Sequence, residues 1–147
     1  MGVCRKFYPD LGIWNSLDKL KTIKDKKSYT PTEEELSEIK NVYWRDYYKK
    51  VNADSINDER LAFSLADSAV NCGIIPSVKM LQKVLGITID GVCGQQTIGT
   101  ANVKNGVIKM FTERRKKYYN DIVSRSENQK VFLKGWIRRC ESFLVNS

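Results

Sequence analysis

Leu65-Ala66-Asp67-Ser68-Ala69-Val70-Asn71-Cys72-Gly73 opens the stretch whose reading decides the fold. After a break at Pro76 it continues Met80-Leu81-Gln82-Lys83-Val84-Leu85-Gly86, then Ile87-Thr88-Ile89-Asp90-Gly91-Val92-Cys93-Gly94-Gln95-Gln96-Thr97. Two apolar patterns of helical spacing each end in a glycine, a common helix stop. A tight Asp90-Gly91 turn then leads into a third helix. Helix, stop, helix, stop, turn, helix describes one compact helical unit.

Working outward, the same periodicity recurs. Asp58 and Glu59 favour a helix start, and Leu61, Ala62, Leu65, Ala66, Ala69 and Val70 form its buried face up to Gly73. The next helix spans roughly 77–85, and a further one follows Gly94 with Thr97, Ile98 and Ala101. A long helix from Gly106 to about Ser124 buries Val107, Ile108, Phe111, Tyr118, Tyr119 and Ile122. The last, from about Glu127, buries Phe132, Leu133, Trp136, Ile137, Cys140, Phe143 and Leu144. Upstream, Thr30-Pro31-Thr32-Glu33 reads as a capped start with Thr30 and Glu33 as its capping box. Leu36, Ile39, Tyr43 and Tyr47 then share one face of a helix reaching about Lys50. Residues 1–29 are less regular, with a short helix or loop expected first, a second short helix near 16–23 and an exposed connection at Lys24–Lys27. Ile87-Thr88-Ile89 is the only strand candidate. The expected fold is all-α, with about six helices and at most a very short strand pair.

The chain has 147 residues, room for one domain with a single core. We read 1–147 as that domain, with halves at 1–73 and 74–147. No apolar run approaches the roughly 20 residues of a membrane helix. The N-terminus, Met1-Gly2-Val3-Cys4-Arg5-Lys6, lacks the apolar core of a signal peptide. Synthesis in the cytoplasm, with later release, is the expectation.

Histidine is absent, which excludes Ser-His-Asp and Cys-His catalysis and His-containing zinc sites within this chain. Cys4, Cys72, Cys93 and Cys140 are far apart and never paired as C-x-x-C, so free thiols are expected and no metal or cofactor. Asp90-Gly91-x-x-Gly94 lacks the ligand spacing of a calcium loop. The formal charge is +8; between Lys104 and Cys140 eleven basic residues face three acids, so the charge is concentrated there. Such a third suits a polyanion, whether wall, nucleic acid or membrane surface, or else forms solvated helix faces. Arg114-Arg115-Lys116-Lys117-Tyr118-Tyr119 mixes basic and aromatic residues, but on a helix these point in different directions and no nucleic-acid motif accompanies them.

These elements, in order, resemble glycoside hydrolase family 108, the phage and bacterial N-acetylmuramidases of lysozyme-like fold. Tyr43-Trp44 is similar to the family's YW pair. Asp67, Val70, Asn71 and Gly73 resemble its D-x-x-V-N-x-G. Leu81-Gln82, Leu85-Gly86, Asp90-Gly91, Gly94 and Thr97 resemble L-Q-x-x-L-G followed by D-G-x-x-G-x-x-T. Arg114 with Tyr118, and Gly135-Trp136 with Arg139, resemble the closing R-x-x-x-Y and G-W-x-x-R. The second half is similar to the peptidoglycan-binding-like region at this family's C-terminus.

The resemblance implies hydrolysis of β-1,4 wall glycan, with peptidoglycan strands as the partner. It implies sugar contacts at Tyr43, Trp44, Asp67 and Asn71. For Asp67 and Asn71 a structural pair joining helices remains the alternative, as core packing does for Tyr43. One departure stands out. The family's general acid is the Glu of an E-G-G-[YF] motif, followed by D-x-G-G-x-T and then G-[IV]-T. Here Met1-Gly2-Val3-Cys4 resembles only the last of these, and no E-G-G occurs anywhere. We therefore assign no catalytic residue and expect this chain alone to hydrolyse wall weakly or not at all. A start at an internal Met, a segment supplied by a partner chain, or loss of catalysis would each produce this pattern. An apolar groove left by an absent first helix would favour self-association. A non-enzymatic basic interaction protein of virion, secretion or wall-binding type is the second reading.

Overall fold

The computed structural model describes residues 4–145. Met1-Gly2-Val3, the start of the G-[IV]-T-like element, lies outside the described residues. The described chain is all-α, with eight α-helices, short 3-10 and π turns, and no strand. It divides into two compact units, Met1–Arg45 and Asp46–Ser147.

The first unit holds α1 (Ile13–Asp18), α2 (Ile23–Ser28) and α3 (Glu33–Tyr43). The helix expected near 16–23 instead splits in two. Thr22 is extended and its hydroxyl accepts from the Asp25 amide, so a new helix starts there and takes in the basic run Lys24–Lys27. That helix buries nothing. The capping box of α3 sits two residues later than expected. Thr32 caps and Glu35 answers it, each bonding the other's backbone N–H. Thr32 with Glu35 has the three-residue spacing of the box and lies closer to the buried residues Ile39 and Val42. After α3 the chain enters a π-helical turn, Trp44–Tyr48.

The second unit is built from α4 (Glu59–Cys72), α5 (Ile74–Leu85), α6 (Gln95–Val103), α7 (Val107–Arg125) and α8 (Lys130–Glu141). Asp58 caps α4 by accepting from the Arg60 and Leu61 amides. Leu61, Leu65 and Ala69 on α4 meet Val78, Leu81 and Leu85 on α5 and Phe111 on α7 in a single core. The hydroxyls of Ser68 and Ser77, both buried, lie 2.8 Å apart and join α4 to α5. Helix α5 begins at Ile74, earlier than the expected Ser77, because Pro76 fits within a first helical turn whose N–H groups have no intrahelical partner.

The strand candidate Ile87–Ile89 is a loop. Gly86, left-handed at φ +74°, closes α5 with its own amide and that of Ile87 bonding back to the Gln82 carbonyl. Helix α8 departs furthest from expectation. Only Cys140 is fully buried, while Phe132 is 53% exposed.

Candidate functional site

Three helices of the second unit converge on one carboxylate. Asp67 projects from α4 into the space beside α7 and α8. Its Oδ2 accepts from Arg115 Nη2 at 2.6 Å, and its Oδ1 accepts from Arg139 Nε at 2.6 Å. Arg139 Nη2 also lies 2.5 Å from Oδ1. Arg115 is wholly buried and additionally donates through Nη1 to the Ser64 carbonyl and hydroxyl. Its guanidinium lies 5.8 Å from the Phe143 ring centroid. Buried charge is costly unless paired and hydrogen-bonded, and here one carboxylate holds one guanidinium inside and another at the surface. The cluster keeps one net positive charge, and Arg139, whose side chain is 59% exposed, presents it.

Around this anchor the side chains are aromatic or thiol-bearing. The Tyr119 and Trp136 rings stack at 4.9 Å, and Phe132 continues the row 5.9 Å from Trp136. Cys72 Sγ–H donates to the Tyr119 hydroxyl. Burial pushes the Tyr119 phenol and the Cys72 and Cys140 thiols upward, so all three stay protonated near neutrality.

A second cluster fixes the Asp90 turn. The buried Gln82 amide donates to Asp90 Oδ1 at 2.6 Å, to the Val92 carbonyl at 3.0 Å and to Thr97 Oγ1 at 3.1 Å. Its carbonyl accepts from the Gly91 amide at 2.9 Å. Gly91 sits at φ +81°, and a Cβ there would come within 2.9 Å of Ile75. The Gln, Asp, Gly and Thr of the paired motifs are thus one hydrogen-bonded knot. The backbone amide of Val92, and then Gln82, hold the Asp90 carboxyl below its usual range.

The four expected sugar-contacting residues fall in different units. Tyr43 and Trp44 end the first; Tyr43 is half-buried and Trp44 is 48% exposed. Asp67 and Asn71 stand one helical turn apart on α4 in the second. Asn71 is exposed, and its amide donates to the Asp67 backbone carbonyl at 2.7 Å. Asp67 itself is buried, with both oxygens engaged by arginine. Arg115 was not singled out in the sequence. The buried pair with R-x-x-x-Y spacing is Arg115 and Tyr119, one residue on from Arg114 and Tyr118. The apolar periodicity of α7 carries the clue, since Arg115 falls four residues after the buried Phe111.

Glu35, the capping-box acid of α3, is buried. Its carboxylate accepts from the Ser16 hydroxyl at 2.5 Å, from Tyr29 at 2.8 Å and from the Thr32 amide at 2.8 Å. The Ser16 bond, with the others, holds its pKa below the ordinary carboxylate value. A general acid for glycoside cleavage needs the opposite shift.

Residues 1–73 match the family described as glycosyl hydrolase 108, and residues 76–141 match the predicted peptidoglycan domain. Residues 1–73 thus form a glycosyl hydrolase 108 region with that peptidoglycan domain behind it, and the chain is a peptidoglycan-directed protein of muramidase type. The border between the two matches falls at the α4–α5 junction, inside the second compact unit. The chain is similar in fold to SagA of Brucella abortus, with a TM-score of 0.63 and 24% identity over 90% of this chain and 71% of that one. No curated protein matches. Among the described residues no helix is long and apolar enough to cross a membrane, and no cluster of His, Cys, Asp or Glu could hold a metal ion.

Proposed function

We propose that this chain engages the glycan strands of peptidoglycan and does not by itself hydrolyse them. One observation carries the second half of that reading. Glu35, a buried carboxylate of the region matching the hydrolase family, is held ionised by three hydrogen bonds, and the sequence contains no E-G-G motif. A β-1,4 glycosidic oxygen leaves only if an acid protonates it, and an acid of lowered pKa carries no proton near neutrality. Hydrolysis then requires a carboxylic acid from another segment or another chain.

Trp44 and Tyr43 offer aromatic faces to sugar rings, and Asn71 offers a polar contact from the surface of α4. Asp67 acts indirectly, by orienting Arg139. The basic stretch from Lys104 to Cys140 attracts anionic wall polymer after release from the cytoplasm. In this reading residues 1–147 work as one lysozyme-like domain, and association with a second chain would supply the acid. The basic-aromatic run argues against nucleic acid as the partner: Arg115 is buried, and Lys116 and Lys117 pair with Glu113, Glu141 and Asp121. Clearing of a turbid cell-wall suspension tests the claim about hydrolysis. No clearing is expected from this chain alone, and rapid clearing would overturn it. The second reading, a basic protein with another partner, would show as binding to DNA with none to purified peptidoglycan.

A further inference from the structure

We propose that the outer face of α8 is a sugar-stacking platform for the wall glycan, built on Phe132, Gly135, Trp136 and Arg139; the inference rests on the peptidoglycan reading above. These four positions recur at spacings of three and four, so they form one stripe of the helix. Exposure rises along the aromatic row. Tyr119 is buried, Trp136 is half-buried and Phe132 is 53% exposed. Tyr119 and Trp136 stack at 26°, and Phe132 is tilted by 31° to Trp136. The inner ring is locked by the core, so the outer rings are held in place before anything binds, which lowers the ordering cost of association.

Gly135 supplies an independent observation. A glycine inside a helix destabilises it relative to alanine. No close approach within the protein demands this one, because a Cβ at Gly135 would meet nothing within 4 Å. The missing side chain leaves bare helix backbone open to solvent between Phe132 and Arg139. The occupant that fits is a wall glycan. A sugar ring lays its apolar face on an aromatic ring, and the carboxylates of the wall polymer suit the helix's charge. Helix α8 carries Lys130, Lys134, Arg138 and Arg139 against Glu141 alone, and the cationic head of Arg139 closes one end of the stripe. The whole platform lies within residues 76–141, the part matching the peptidoglycan domain.

Co-sedimentation of the full chain with purified insoluble peptidoglycan tests this, using Phe132→Ala, Gly135→Leu and Phe132→Trp. Loss of one ring contact predicts binding about threefold to tenfold weaker for Phe132→Ala. Gly135→Leu puts a side chain over that bare backbone and weakens binding by a similar factor, while its melting temperature equals or exceeds that of the parent because leucine is the better helix former. Phe132→Trp keeps the ring and retains binding. If the parent sediments with peptidoglycan and all three variants do so equally, the platform is wrong while the wall reading stands. If the parent does not sediment at all, both fall.

Discussion

Asp67 on α4 and Arg115 on α7 form an ion pair of 2.6 Å, with side chains 8% and 0% exposed, across 48 residues of sequence. Arg139 of α8 closes the same carboxylate from outside. Three helices therefore depend on one acidic side chain. Truncating one partner of a buried pair leaves a buried charge uncompensated, a loss of about 3–5 kcal/mol. Asp67→Ala is accordingly expected to destabilise the chain by that amount in urea unfolding. Arg139→Ala, removing a mostly exposed partner, costs roughly 1 kcal/mol. Equal effects from the two substitutions would contradict the anchor.

Gln82 holds the Asp90 turn through both ends of its amide. Gln82→Leu keeps the bulk but strands the buried Gly91 N–H and removes the amide's bonds to Asp90, Val92 and Thr97. Buried groups left without partners cost about 1–3 kcal/mol each, so a fall of a few kcal/mol is expected. Hydrogen exchange should localise the loss, with the Gly91 amide losing protection before the amides of α7.

Glu35 makes the first unit sensitive to acid. Its folded pKa is lowered, chiefly by the Ser16 hydroxyl. The sign follows directly. The stabilisation is fully present above the unfolded carboxylate pKa of about 4.3 and disappears as pH falls through the lower folded value. Thermal melts of Glu35→Gln and the parent should differ most near neutrality and converge below about pH 4. A gap of constant size down to the most acidic point would show that Glu35 contributes nothing through its charge.

The thiols sort by burial. Cys4 is exposed, Cys93 and Cys140 are buried, and Cys72 is half-buried. Burial lifts the Cys93 thiol to about 11 and raises Cys72 and Cys140. At neutral pH a thiol-alkylating reagent should label Cys4 quickly and the other three only after unfolding. Mass spectrometry of the native protein should find one modification at early times.

Much of the second unit was legible in the sequence because its signals are local. Glycine stops, the Asp58 cap and a helical apolar stripe each act within a few residues, and α4, α6 and the Gly86 end of α5 appear where those signals place them. Arg115 escaped notice because its meaning is non-local. A charged residue on an apolar face declares itself only when its partner, 48 residues away, is brought beside it. The aromatic row on α8 was misjudged for a related reason. Periodicity shows that Phe132, Trp136 and Cys140 share a face, but not how far the neighbouring helix covers it, and the structure covers Cys140 fully and Phe132 hardly at all. The Thr22 cap was missed because a two-turn helix of polar residues has no apolar period to show.

The central claim is that this chain holds peptidoglycan and lacks the acid to cut it. The most direct measurement incubates the chain with purified insoluble peptidoglycan at low salt, then assays protein in the pellet and reducing sugar ends in the supernatant. Protein in the pellet with no reducing ends above buffer is the predicted result. Protein left in the supernatant, or a steady release of reducing ends, would contradict it.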